Sequence, residues 1–273
     1  MPQIINTNIP SLNAQRNLNT SQGSLNQALQ RLSSGLRVNS AKDDAAGLAI
    51  ASNMDAQSRG MVVAMRNAND GISAAQVAEA GFNAITTHLQ RMRELAVQAA
   101  SGQYDTTNRD ALNAEYQQLA SEIDRVVTAT TFNGQHLLDG SWSGGVAFQI
   151  GATTVAADSR ITINISEISH TFGSLTDSTG DAAISEMALL DISIDQVNRY
   201  RADLGAIQNR MEGVLVQLSS AQESTEAARS RIMDADYASE TAKLSRAQIL
   251  QQAGVAMLAQ ANSLPQNVLT LLR

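Results

Sequence analysis

Three histidines, His88, His136 and His170, are the side chains of this chain best suited to hold a metal or move a proton near neutral pH. Histidine ligands on a helix stand one turn apart, as in HExxH, and these three are separated by tens of residues. His88 also stands beside Leu89 in an apolar stripe, which reads as a helix-surface position and not as a ligand. Asp43 and Asp44 are a second candidate, since paired carboxylates can share general acid and base roles. Adjacent acids just after Ser40 are better read as a helix start, where they face the positive end of the helix dipole. With no cysteine, the chain has no disulfide, thiolate zinc site or cysteine nucleophile. It also carries no GxSxG, Walker A or GxGxxG motif in usable form. No enzyme, cofactor or metal is therefore expected. Of the nine methionines, Met92, Met211 and Met257 fall on apolar stripes, and core filling is the better reading than an adaptable binding surface.

The elements that would position these residues read as long helices. The prolines are Pro2, Pro10 and Pro265, so no pyrrolidine ring interrupts a helix between the last two. Near the start, Leu18, Leu25 and Leu32 recur every seven residues, with Leu29 and Leu36 one turn on from the last two. Near the end, Leu250, Met257, Leu264 and Leu271 repeat the interval beside a second file of Ala247, Gly254, Ala261 and Val268. Such helices are marginal alone in water and should order only against each other or against a neighbouring subunit. Residues 44 to about 100 read as one long helix striped by Ile85, Leu89, Met92, Ala96 and Ala99, with Gly60, Gly71 and Gly81 as possible breaks. A second run carries Leu112, Tyr116, Leu119, Ile123 and Val126. A third, from about Ala183 to Ile232, alternates threes and fours from Val197 to Ile232, the mark of coiled-coil packing. Between them, Asn133-Gly134 and the alternating Val146, Phe148, Ile150 and Ile161, Ile163, Ile165 predict one or two β-hairpins, followed by a loop from about Ser174 to Gly180. The fold class is mainly α: a long, coiled-coil-like helical bundle with a small β-hairpin region.

Charge is distributed unevenly along the 273 residues. Residues 1–42 carry Arg16, Arg31, Arg37 and Lys42 and no acid; residues 242–273 carry Lys243, Arg246 and Arg273 and no acid. All 26 acids lie between, and the net charge of −7 averages two basic ends with an acidic centre. Seven cations spread over both ends are too sparse for a nucleic-acid arm. Acid-free helices instead suit burial against protein, where an unpaired carboxylate is costly. No stretch approaches the roughly 20 apolar residues of a membrane span, so no membrane insertion is expected. The start MPQIINTNIPSLNAQ lacks the apolar run of a cleavable secretory signal. Aromatic residues make up only 3% of the chain, so its core must be built from Ala, Leu, Ile, Val and Met.

Six segments together closely resemble bacterial flagellin: MPQIINTNIPSLNAQRNL at the start, LQRLSSGLRVNSAKDDAAGLAIA (29–51), LQRMRELAVQAA (89–100), EIDRVVTATTFNGQHLLDG (122–140), ARSRIMDADYASETAKLSRAQILQQAGVAMLAQAN (228–262) and the closing VLTLLR. The resemblance implies paired terminal helices forming an inner domain, D0, from residues 1–42 and 236–273. It implies a second shell, D1, from residues 43–182, with two helices and the hairpin region, and the helix of 183–235. Only about residues 141–182 remain for the variable outer region of the family, which implies a short form and a thin, smooth filament. The implied function is that of a structural subunit polymerising into the extracellular flagellar filament. Leu18, Leu25, Leu32, Leu250, Met257, Leu264 and Leu271 are the expected self-assembly residues.

The resemblance further implies export without a cleavable signal through the flagellar type III apparatus. A flagellar export chaperone would cover roughly residues 242–273, and the filament cap and hook-associated proteins would be neighbours. Where family members activate Toll-like receptor 5, the matching positions here are Arg91, Leu95 and Glu115, although Leu119 stands where some active members have a basic residue. Filament contact is the competing role for these three. Two alternatives to the filament subunit are a hook-filament junction protein and a glycan-binding or hydrolytic variant. The latter needs an inserted domain, and Trp142 stands alone in too short a segment.

Overall fold

The structure is a computed structural model that describes residues 7–152, 159–168, 172–177 and 179–271, without the side chains of 264–271. Its elements in chain order are α1 (Ile9–Ser34), α2 (Ala45–Ala99), α3 (Thr106–Ala129), β1 (Thr131–Phe132), β2 (Gln135–His136), β3 (Val146–Gln149), β4 (Arg160–Ile163), α4 (Asp181–Met233) and α5 (Tyr237–Leu271). Each helix boundary has a local cause. Asn8 caps α1 by accepting the Ser11 N–H at 3.1 Å, and Pro10 sits in the first turn, where no N–H is missed. Gly35, at φ 70°, ends the helix and returns its N–H to the Arg31 carbonyl at 2.9 Å.

The Asp43-Asp44 pair does the work of a helix start. Asp44 accepts the Gly47 N–H at 2.8 Å, while Asp43 accepts from the backbone of Asn39 and Ser40 and from the Ser40 hydroxyl. These bonds, the Asn39 N–H foremost, hold the Asp43 carboxyl below its ordinary pKa. Asp105 caps α3 in the same way, accepting the Asn108 N–H at 2.8 Å.

The chain divides into two compact units, residues 57–223 and residues 1–56 with 224–273. The first turns of α2 and the last of α4 thus join the terminal helices, so the compact units part further along α2 and earlier in α4 than residues 42 and 235.

In the central unit, one apolar cluster joins Phe82, Ile85, Leu89 and Met92 of α2, Tyr116 and Ile123 of α3, and Val197, Leu204 and Met211 of α4. Phe82 stacks on Tyr200 with ring centroids 5.7 Å apart. Gly71 and Gly81 leave α2 unbroken because they answer a packing need. A Cβ on Gly71 would lie 2.6 Å from Met211 Cε, and one on Gly81 2.7 Å from Leu138 Cδ1. Both hairpins form. Asn133 (φ 50°) and Gly134 (φ 77°) make the tight turn between β1 and β2, the two left-handed positions of a type I′ turn. In the second, Val146 faces Ile163 and Phe148 faces Ile161, and the alternation sends Ile161 and Ile163 inward.

Two buried polar side chains organise the central unit. Arg109, almost fully buried, donates to the carbonyls of Ala99, Ser101 and Asp177 and so ties the end of α2 to two loops. The Tyr116 hydroxyl donates to Glu186 at 2.8 Å, and burial, reinforced by the carboxylate, pushes the phenol pKa far up.

Candidate assembly surface

The terminal unit is organised by α1 and α5, which run antiparallel. Asn8 donates to the Ala261 carbonyl at 2.8 Å, Gln251 donates to Gln22 at 2.6 Å, and Arg31 meets Glu240 at 3.3 Å. One number rises as the other falls. Along α5 the inward file is Glu240, Leu244, Ala247, Gln251, Gly254, Leu258 and Ala261, spaced in threes and fours. Small residues let the helices approach: a Cβ on Gly254 would lie 3.2 Å from Leu18 Cδ1. Leu25 and Ala28 are buried on the α1 side, while Leu18 and Leu32 are half-buried.

This arrangement corrects the reading of Met257 as core filling. It is the second file, Ala247, Gly254 and Ala261, that meets α1. Leu250 is 52% exposed and Met257 63% exposed, with Ile249 at 65% and Val255 at 54% nearby. The physical reason is position round the helix: Gly254 makes room for the Leu18 side chain, and Leu250 and Met257, about 60° round α5 from that file, stay outside the seam. Leu264 and Leu271 lie outside the residues whose side chains are described.

On α1, Leu12 and Leu29 are exposed too. Large contiguous apolar patches mark protein-binding surfaces, and these exposed side chains are the candidates for one. Beside it an open groove of about 460 Å³ is lined by Thr20, Ser24, Arg31, Lys243, Arg246 and Leu250. Glu240 is buried to 4% exposure there. It accepts from Lys243 at 2.8 Å and from Arg31, and these bonds, Lys243 first, hold its carboxyl below the ordinary value.

Residues 35–38 pair with the chain leaving α4: the Arg37 N–H donates to the Met233 carbonyl at 2.6 Å and the Ala235 N–H to Gly35 at 2.9 Å. Two families of contact, the helix pair and this short backbone junction, thus hold the first and last segments together.

The three positions aligned with receptor recognition do not share a surface. Arg91 and Glu115 are exposed and form an ion pair at 2.8 Å between α2 and α3; Arg91 also donates to Glu94 at 3.0 Å. Leu95 is 1% exposed, inside the core cluster. Four residues advance a helix by slightly more than one turn, so Arg91 sits at the rim of the buried stripe and Leu95 within it. His88 is half-buried on α2, and His136 places Nδ1 2.7 Å from the Thr128 carbonyl. His170 lies outside the described residues. Among those described, no group of three His, Asp or Glu side chains could hold a metal, and no helix is long and apolar enough to cross a membrane.

A family model for the bacterial flagellin N-terminal helical region matches residues 5–143, and one for the bacterial flagellin C-terminal helical region matches residues 187–272. The chain belongs to the bacterial flagellin family. It is 43% identical to a flagellin of Halalkalibacterium halodurans over 99% of this chain and 100% of that one. It is 40% identical to the flagellar filament 33 kDa core protein of Treponema phagedenis, again over 99% and 100% of the two chains. Among solved structures, Bacillus cereus flagellin matches with a TM-score of 0.50 and 31% identity, covering 56% of this chain and 88% of that one. This member of the flagellin family is a structural subunit of the flagellar filament, in its short form, and its helical bundle with small hairpins is the family's fold.

Proposed function

We propose that copies of this chain polymerise through the outward apolar face of α1 and α5, in which Leu29, Ile249, Leu250 and Met257 stand. The observation that carries this reading is that Ile249, Leu250 and Met257 of α5 stand exposed, while Ala247, Gly254 and Ala261, with the half-buried Leu244 and Leu258, face α1. A single chain leaves that area hydrated at a cost of about 25 cal/mol per Å². Each face meets an unlike face on the next copy, a heterologous contact that grows a helical polymer when it does not close into a ring. D0 then corresponds to the terminal unit and D1 to the central one.

The test is Met257→Glu, assayed by elongation of filament seeds in electron micrographs and by circular dichroism. Elongation stops, while the central unit keeps its helical signal. Normal filaments from the variant would overturn the assembly face. Persistent failure of the unaltered chain to extend seeds would favour the hook-filament junction role.

The same apolar file explains the other partners. Before assembly it needs cover, which an export chaperone over residues 242–273 supplies, and the subunit acts outside the cell after passage through the flagellar export apparatus. The filament cap and hook-associated proteins meet the ends of the polymer. Recognition by Toll-like receptor 5 would pass through the exposed Arg91 and Glu115, with Leu95 supporting them from beneath. Arg91→Ala should lower receptor-reporter activation by about tenfold, as for a loss at an arginine anchor, and leave seeded elongation unchanged. Equal activation by the variant would leave Arg91 a filament residue only.

A further inference from the structure

We propose that Met257 is an oxidation site through which peroxide controls the entry of free subunits into the polymer. The inference rests on the assembly face described above and adds a modification to it.

With no cysteine in the chain, the thioethers are its readily oxidised sulfur. The structure protects most of them. Met61, Met92 and Met211 are buried, and Met54, Met65, Met187 and Met233 are half-covered. Among the described methionines only Met257 is exposed, at 63%. It also stands on a face where a polar group would do the most harm, two turns along from Leu250, which is itself exposed in the single chain.

The reaction balances with hydrogen peroxide alone. A sulfur lone pair attacks one peroxide oxygen, an S–O bond forms, the O–O bond breaks, and the departing hydroxide takes the remaining proton to leave as water. Sulfur is oxidised by two electrons and peroxide is reduced by two. The product sulfoxide is polar and chiral, and a subunit carrying it must bury an unpaired S–O dipole to add to the filament. Once added, the face is covered, so an assembled subunit no longer offers this sulfur to peroxide. Control therefore acts on the free chain and leaves finished polymer unaffected.

The experiment treats unaltered monomer, Met257→Leu monomer and assembled filament with hydrogen peroxide. Peptide mass mapping locates the added oxygen, and seeded elongation gives the rate. In the unaltered monomer Met257 gains oxygen before the other described methionines, and elongation slows about tenfold or more, the loss expected for one buried unpaired polar group. The elongation rate of Met257→Leu is the same with and without the treatment, whatever its untreated rate. Reduction by the paired methionine sulfoxide reductases restores the unaltered chain. In filaments, Met257 resists oxidation.

Equal slowing of Met257→Leu would assign the effect to another methionine, and oxidation at equal rates in monomer and filament would show that the face is never covered. Either result overturns the proposal. If sulfoxide has no effect on elongation while Met257→Glu blocks it, the oxidation switch fails and the assembly face stands. If both elongate normally, the face itself has failed.

Discussion

The central unit and the terminal unit are built from similar helices and spend their apolar residues in opposite ways. In the central unit the large side chains are inside: Phe82, Ile85, Leu89, Tyr116 and Leu137 are fully buried, and the buried Arg109 and Glu186 have partners. In the terminal unit most of what is buried is small, Ala28, Ala51, Ala247 and Ala261 with Leu25 and Val38, and Ile249, Leu250, Val255 and Met257 of α5 are exposed. One unit completes its core within the chain, and on the proposed assembly face the other would be completed by further copies. The aromatic content of 3% is concentrated where the core is self-sufficient, with Phe82 against Tyr200 and Trp142 against Phe148.

Truncations should separate the two most widely. Phe82→Ala should cost about 3–5 kcal/mol of central-unit stability in chemical denaturation, from lost burial and the cavity left behind. Leu25→Ala should cost about 2 kcal/mol, read as lost hydrogen-exchange protection in α1 and α5 with the central unit unchanged. Equal costs would erase the distinction between a closed core and an open seam.

Acid should loosen the terminal unit through Glu240. Its folded pKa lies below the ordinary 4.5, so the contribution of its bonds to Lys243 and Arg31 is complete above that pH and is lost as pH falls through the depressed value. Glu240→Gln should remove about 1–2 kcal/mol at neutral pH and flatten this acid response, measured by exchange protection of α1 between neutral pH and pH about 3. An unchanged acid profile in the variant would assign the loosening to other carboxylates.

The smallest effect sharpens the comparison most finely. Gly23 in α1 and Gly213 in α4 have open space where a Cβ would go. Replacing either by Ala should stabilise the free chain by about 0.5–1 kcal/mol through helix propensity. If a neighbouring copy packs over α1, Gly23→Ala should also slow seeded elongation relative to Gly213→Ala. Equal elongation would place Gly23 outside the subunit contact.

Much of this was legible in the residues. Periodicity showed that all five segments are helical and placed the bounds of α2 and α4 to within a few positions, and alternation marked the strands of the second hairpin, whose register the structure supplied. Asp43 and Asp44 were legible as a helix start because capping is a local interaction, satisfied within a few residues. The glycines of α2 were not, because the residues that explain Gly71 and Gly81, Met211 and Leu138, are remote in sequence. The burial of Leu95 was not legible either, for a related reason. A four-residue step places two side chains near each other without saying which side of the water boundary each falls on.

The sequence by itself determined the helices, the acid-free ends, the absence of thiol chemistry and the family. Those are properties of local spacing and composition, and they need no knowledge of what lies across a seam. Tertiary structure alone decided which of two apolar files on α5 turned inward. Both files repeat every seven residues, so periodicity cannot rank them. Close approach of α1 at Gly254 can, because the Leu18 side chain fills the space beside that glycine and leaves Leu250 and Met257 outside the seam.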